Sequence, residues 1–98
     1  MKVLWTEAAL GQLQTIYDHI ARTSPDYALH LVDRLTRRSI QIATFPFSGR
    51  MVPEYELNEL REVIEGSYRI IYLINLEESR VEVLALIHGS RDVLSPLG

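Results

Sequence analysis

The chain contains no cysteine. That excludes a disulfide scaffold and any thiolate zinc site. Lysine is nearly absent: Lys2 stands alone beside nine arginines. No aromatic residue follows Tyr72. Long apolar runs are missing too. The longest are Ile70 to Ile74 and Val83 to Ile87, far short of the roughly 20 residues that span a bilayer. At the N-terminus Glu7 interrupts the run from Val3 to Trp5 too early for a signal-peptide core, so a cytosolic protein is expected. Excess positive charge is also lacking. Ten basic residues face thirteen acidic ones, for a net charge of -3, which argues against general nucleic-acid binding. The balance is uneven: residues 1–53 carry six basic and four acidic side chains, and residues 54–98 carry four and nine.

What is present is the make-up of one small globular domain. The 98 residues are 47% hydrophobic and 23% charged, enough apolar surface to offset chain entropy and enough length for a single core. Helical periodicity comes first. Thr6 can cap a helix and Glu7 sits in its first turn, after which Ala9, Leu13, Ile16, Tyr17 and Ile20 form one stripe. Ser24-Pro25-Asp26 reads as a second start, with Ser as cap and Pro at the first helical position. Ala28, Leu31, Val32, Leu35, Ile42 and Phe45 then continue a stripe until Pro46 ends the helix. So short a link between them predicts an antiparallel helix hairpin.

Beyond Pro46, Phe47 to Arg50 reads as a turn and Met51 to Asn58 as a loop or extended arm. The period then drops to two. Strands are expected at Leu60 to Glu65, Tyr68 to Asn75 and Arg80 to His88, with a short one at Lys2 to Trp5. The fold class is therefore α+β, ordered β-α-α-β-β-β, with the helix hairpin on one face of a mostly antiparallel four-stranded sheet.

A two-residue turn at Gly66-Ser67 places Ile64 opposite Arg69 and Arg61 opposite Tyr72. An even-numbered turn at Glu77-Glu78 places Arg69 opposite Leu86, with His88 diagonal to Arg69. One face then carries Val63, Ile70, Tyr72, Ile74, Val81, Val83, Ala85 and Ile87, and is assigned to the helices. The other carries Glu62, Ile64, Arg69, Ile71, Leu73, Leu84, Leu86 and His88. A guanidinium among strand hydrophobes needs a carboxylate, a phosphate or water. Arg69 therefore either pairs with Glu62 in a structural role or serves a site. His88, at a strand end, either caps the sheet or acts as a general acid or base. His19 and His30 have no partners at metal-ligand spacing, so neither a metal nor another cofactor is expected.

The residues also carry a resemblance spread over nearly the whole chain. It rests on Trp5 and Ala8, Ile20-Ala21, Ser24-Pro25 with Ala28, Phe45-Pro46, Gly49-Arg50 and Val52-Pro53-Glu54. Its most specific stretches are Leu60-Arg61-Glu62, Gly66-Ser67-Tyr68-Arg69-Ile70-Ile71-Tyr72, and Ile87-His88-Gly89 with Arg91. In these the chain resembles the RelE/ParE superfamily of type II toxin–antitoxin toxins, most of all its ParE branch. The resemblance implies inhibition of DNA gyrase, growth arrest, and neutralisation by a cognate antitoxin that folds on binding. The alternatives it leaves are a RelE-like ribosome-dependent mRNA endonuclease and a non-toxic member that only binds antitoxin. The nuclease would draw on Arg69, His88 and Glu54. Candidate contacts for target or partner are Arg50, Arg61, Arg69, Tyr72, His88 and Arg91. Candidates for an antitoxin groove are Leu10, Leu13, Leu29 and Leu35, with Leu10 and Leu29 expected to be exposed. The sparse lysine, the missing C-terminal aromatic and the negative net charge depart from the nuclease pattern.

Overall fold

The hydroxyl of Thr6 ties the first helix to the sheet. It accepts a hydrogen bond from the Ala9 amide at 3.2 Å and donates one to the Val83 carbonyl at 2.9 Å. In the computed structural model, which describes residues 1–89, strand β1 (Lys2–Trp5) leads through this cap into helix α1 (Glu7–Ala21). Helix α2 (Pro25–Thr44) begins with Pro25 in its first turn, where a missing N–H costs nothing. Ser24 occupies the cap position but its side chain makes no capping bond. A 3-10 turn at Pro46–Ser48 precedes β2 (Arg50–Met51), and β3 (Leu60–Glu65), β4 (Tyr68–Asn75) and β5 (Arg80–His88) follow among the described residues.

The sheet runs β1-β5-β4-β3-β2, parallel between β1 and β5 and antiparallel elsewhere. Among the described residues it has five strands, against the four that the sequence predicts. The additional one is β2, which the sequence presents as turn and arm; Arg50 pairs with Glu62 and Met51 with Arg61. Two residues are too few to display a period of two.

The β3–β4 register agrees with the Gly66-Ser67 turn: Ile64 lies opposite Arg69, and Arg61 opposite Tyr72. Gly66 has φ +60°, a conformation disfavoured for residues with a Cβ. The β4–β5 register holds only in its half nearest the turn. There Tyr72 faces Val83 and Asn75 faces Arg80. Between Ile71 and Tyr72 the pairing slips by one, because β5 carries an extra residue at a bulge. Arg69 therefore faces Ile87, and His88 faces Tyr68. The slip exchanges faces beyond the bulge: Leu86 joins the helix-side core, while Ala85 and Ile87 join the opposite cluster. It also corrects the expected diagonal between His88 and Arg69.

The main core lies between the helices and the sheet, built from Ala9, Leu31, Leu35, Ile42, Val63, Ile70, Tyr72, Ile74, Val81, Val83 and Leu86. On the other face Val52, from the arm that follows β2, is fully buried against Leu60, Ile71 and Ala85. Burying a valine side chain is worth about 1.5–3 kcal/mol, so Val52 helps hold the arm over a sheet face that, among the described residues, no helix covers. Among the described residues no helix is long and apolar enough to cross a membrane.

Candidate functional site

On that face, alternation along β3 and β4 brings Glu62 diagonally beside Arg69, and the arm brings Glu54 above both. Arg69 donates from Nε to Glu62 Oε2 at 2.5 Å, and from its two terminal nitrogens to Glu54 at 3.1 and 3.0 Å. Arg50, reaching from β2, donates to the second oxygen of Glu62 at 2.8 Å. The result is a chain of alternating charges, Arg50–Glu62–Arg69–Glu54. Glu62 is 1% and Arg69 5% exposed. The bond to Glu54, helped by Glu62 and opposed by burial, holds the Arg69 guanidinium charged far above its ordinary range. Arg69 is thus a buried, carboxylate-bound cation. The fork geometry of guanidinium on carboxylate makes the Glu54 contact two-pronged and directional.

A second arrangement stands at the corner made by the 3-10 turn. Tyr72 is fully buried; its hydroxyl donates to the Pro46 carbonyl at 2.5 Å and accepts from the Gly49 amide at 3.2 Å. Burial raises its pKa, against the hydrogen bond from Gly49 and the nearby charges of Arg61 and Arg38. Arg61 donates to the carbonyls of Asn58 and Gly49 at 2.7 and 3.0 Å and to the Asn58 side chain at 2.7 Å. Its guanidinium also lies 5.1 Å from the centre of the Phe47 ring. Gly49 is required here: a Cβ would sit 2.7 Å from the Glu62 carbonyl and overlap the Tyr72 hydroxyl.

The residues named from sequence therefore separate. Glu54 and Arg69 meet. His88 is exposed on the helix side of the sheet, its ring edge-on to Tyr68 with centroids 5.9 Å apart. Arg50 and Arg61 remain at the surface with one or more partners each, whereas Tyr72 presents no surface. Arg91 lies outside the described residues. Of the groove candidates, Leu10 and Leu29 are 50% and 58% exposed, Leu13 is half-buried, and Leu35 is sealed in the core. Among the described residues no group of three or more His, Cys, Asp or Glu could hold a metal ion.

Sequence reasoning missed Gln12. A groove of about 590 Å³ runs between α1 and the end of β5, lined by Ala8, Gly11, Gln12, Thr15 and Ile16 on one side and by Tyr68, Leu86, Ile87 and His88 on the other. Within it the Gln12 side-chain oxygen accepts a 2.7 Å hydrogen bond from the Leu86 amide. The only signal in the sequence was a polar residue bordering the apolar stripe of α1.

Comparison with known proteins agrees with this architecture. Residues 3–93 match the family model described as ParE toxin of type II toxin-antitoxin system, parDE. A curated relative from Sinorhizobium fredii (strain NBRC 101917 / NGR234), named "Putative toxin Y4kP", is 32% identical over 89 residues, covering 90% of this chain and 88% of its own. The solved structure of the chromosomal ParDE TA system from P. aeruginosa superposes with a TM-score of 0.73 at 21% identity, over 90% of this chain and 95% of that one. The isolated E. coli RelE toxin superposes at 0.64 with 13% identity, over 95% and 88%. Both structural likenesses speak to the fold. The family match and the curated relative carry the assignment: the chain belongs to the ParE family of toxins of type II toxin–antitoxin systems.

Proposed function

We propose that the protein arrests growth by inhibiting DNA gyrase and is neutralised by a cognate antitoxin. The observation that carries this choice of target is the state of Arg69. Cleaving RNA requires cations that meet the phosphate, together with an acid and a base placed on either side of it. Arg69 is buried, and its donors are directed at Glu54 and Glu62. His88 lies on the opposite side of the sheet from that pair. Glu54, Arg69 and His88 therefore do not surround one reacting phosphate in this structure, and an inhibitor that acts by binding is the reading these positions favour. Membership of the ParE family supports the same choice.

The antitoxin is supported by two structural relatives described as a ParDE system and as the toxin–antitoxin complex RelBE2 from Mycobacterium tuberculosis. It is also supported by the exposed apolar residues of the helix hairpin, Leu10, Tyr27, Leu29 and Ile40. The test is induced expression in bacteria. Filamentous cells with an SOS response and continuing bulk translation are expected, relieved by co-expression of the protein encoded beside it. Rapid cleavage of translated mRNA without DNA damage signalling would overturn the gyrase reading.

A further inference from the structure

We infer that the flank of α2 facing β3, with Arg34, Arg37 and Arg38 at its centre, meets the phosphate backbone of the DNA that gyrase holds. This rests on the reading above that gyrase is the target. Helical spacing sets Arg34 and Arg38 one turn apart, about 6 Å along the axis, and the end of β3 brings Glu65 beside both. Glu65 pairs with Arg34 at 2.9 Å and lies 3.9 Å from Arg38. One carboxylate therefore stands against two guanidinium groups. The Arg38 Nε–H has no hydrogen-bond partner among the described residues, and a terminal nitrogen of the same group donates to Gln41, a neutral side chain. Arg37, its side chain 76% exposed, pairs with the exposed Asp33 at 3.1 Å. A pair of that kind holds weakly. Arg61 lies on the same side of β3 as Glu65. Among the described residues it is bound by carbonyl and carboxamide oxygens, which leave its charge uncompensated.

The charge balance gives this strip its sign. Four arginines face two carboxylates, Asp33 and Glu65, which leaves two positive charges in a chain whose net charge is -3. So small a surplus does not hold free DNA against salt. It does orient the molecule on DNA that another protein already presents. The chemistry of the flank also selects its partner. Tyr27, His30, Arg34, Arg38 and Gln41 recur at helical spacing as a line without an aliphatic side chain, while the exposed Leu29 and Ile40 project from the other flank. A protein interface needs an apolar centre inside its charged rim. A phosphate backbone needs only cations and donors, and a guanidinium group meets phosphate oxygens two at a time.

Two variants of opposite sign and one crosslink test this, in gyrase assays that score cleaved DNA. Arg34→Gln, Arg37→Gln and Arg38→Gln combined should raise the concentration needed for half-maximal cleavage by about ten-fold or more, since each phosphate contact carries a share of the affinity. Glu65→Gln should lower that concentration by about three-fold, because Arg34 and Arg38 lose a competing carboxylate. A strip that merely supports the fold would show no such gain. A photo-crosslinking phenylalanine analogue in place of Gln41 should capture DNA in the poisoned complex. Urea midpoints establish that each variant is folded. A folded triple variant of undiminished potency overturns this inference alone. So does a crosslink to a gyrase subunit instead of DNA, which would make the partner an acidic protein surface. If the triple variant does not fold, Glu65→Gln decides, and unchanged or weaker potency overturns the inference. No effect of the unaltered chain on gyrase overturns it together with the target reading.

Discussion

Replacing Arg69 with alanine tests what holds the arm and the open sheet face together. The substitution removes one hydrogen bond to Glu62 and two to Glu54. Glu62 is the decisive partner, because its side chain has no solvent exposure. Removing one member of a buried ion pair costs about 3–5 kcal/mol, since the other charge remains desolvated. Two features moderate that figure. Arg50 still donates to Glu62 at 2.8 Å, and Glu54, on the arm, can turn toward water. A loss of about 3 kcal/mol is the expected outcome. For a domain of this size that lowers the melting temperature by more than about 10 °C. Urea denaturation should show a lower midpoint with little change in slope. Limited proteolysis should find new cleavage at residues 52–58, because the arm loses its anchor. The double variant Arg69→Met, Glu62→Leu removes both buried charges and should recover most of the loss. A change under about 0.5 kcal/mol for Arg69→Ala, the size that surface pairs alone give, or a double variant less stable than the single one, would show that the Arg69–Glu62 pair does not anchor the arm.

The remaining expectations concern the corner at Tyr72. Gly49→Ala should destabilise by roughly 1–3 kcal/mol, the range for overpacking a buried site, because the new methyl meets the Glu62 carbonyl and the Tyr72 hydroxyl; urea midpoints check it. Burial raises the pKa of Tyr72 above its ordinary value in the folded protein, so the folded state favours the neutral phenol. That contribution is complete below pH of about 10 and is lost as the pH rises through the folded value. Tyr72→Phe should be less stable at neutral pH, having lost its bonds to Pro46 and Gly49, but its stability should fall less than that of the unaltered chain between pH 9.5 and 11, as measured by denaturation at each pH.

Much of the fold was legible because its signals are local. Thr6, Pro25 and Pro46 punctuate the helices, and Gly66-Ser67 sets a turn whose register carries Arg69 to the correct face beside Glu62. The bulge in β5 was not legible. Val83 to Ile87 is apolar throughout, so a one-residue slip leaves no mark on the alternation, and His88 moved to the other side with it. β2 was hidden by its length. The grip of Glu54 on Arg69 spans 15 positions and depends on how the arm folds back, which no local pattern encodes. Leu35 and Tyr72 look like contact candidates in a linear stripe but fall where helix and sheet meet. Gln12 shows the reverse: an ordinary polar residue whose meaning depends on Leu86, 74 positions away.

Parallel assays with the purified protein test the target most directly. One follows supercoiling of relaxed plasmid by DNA gyrase, and the other follows mRNA on programmed ribosomes. With gyrase as the target, supercoiling stops and cleaved DNA–gyrase complexes accumulate, equimolar antitoxin restores supercoiling, and the mRNA stays intact. Undisturbed supercoiling together with cut mRNA would contradict that target.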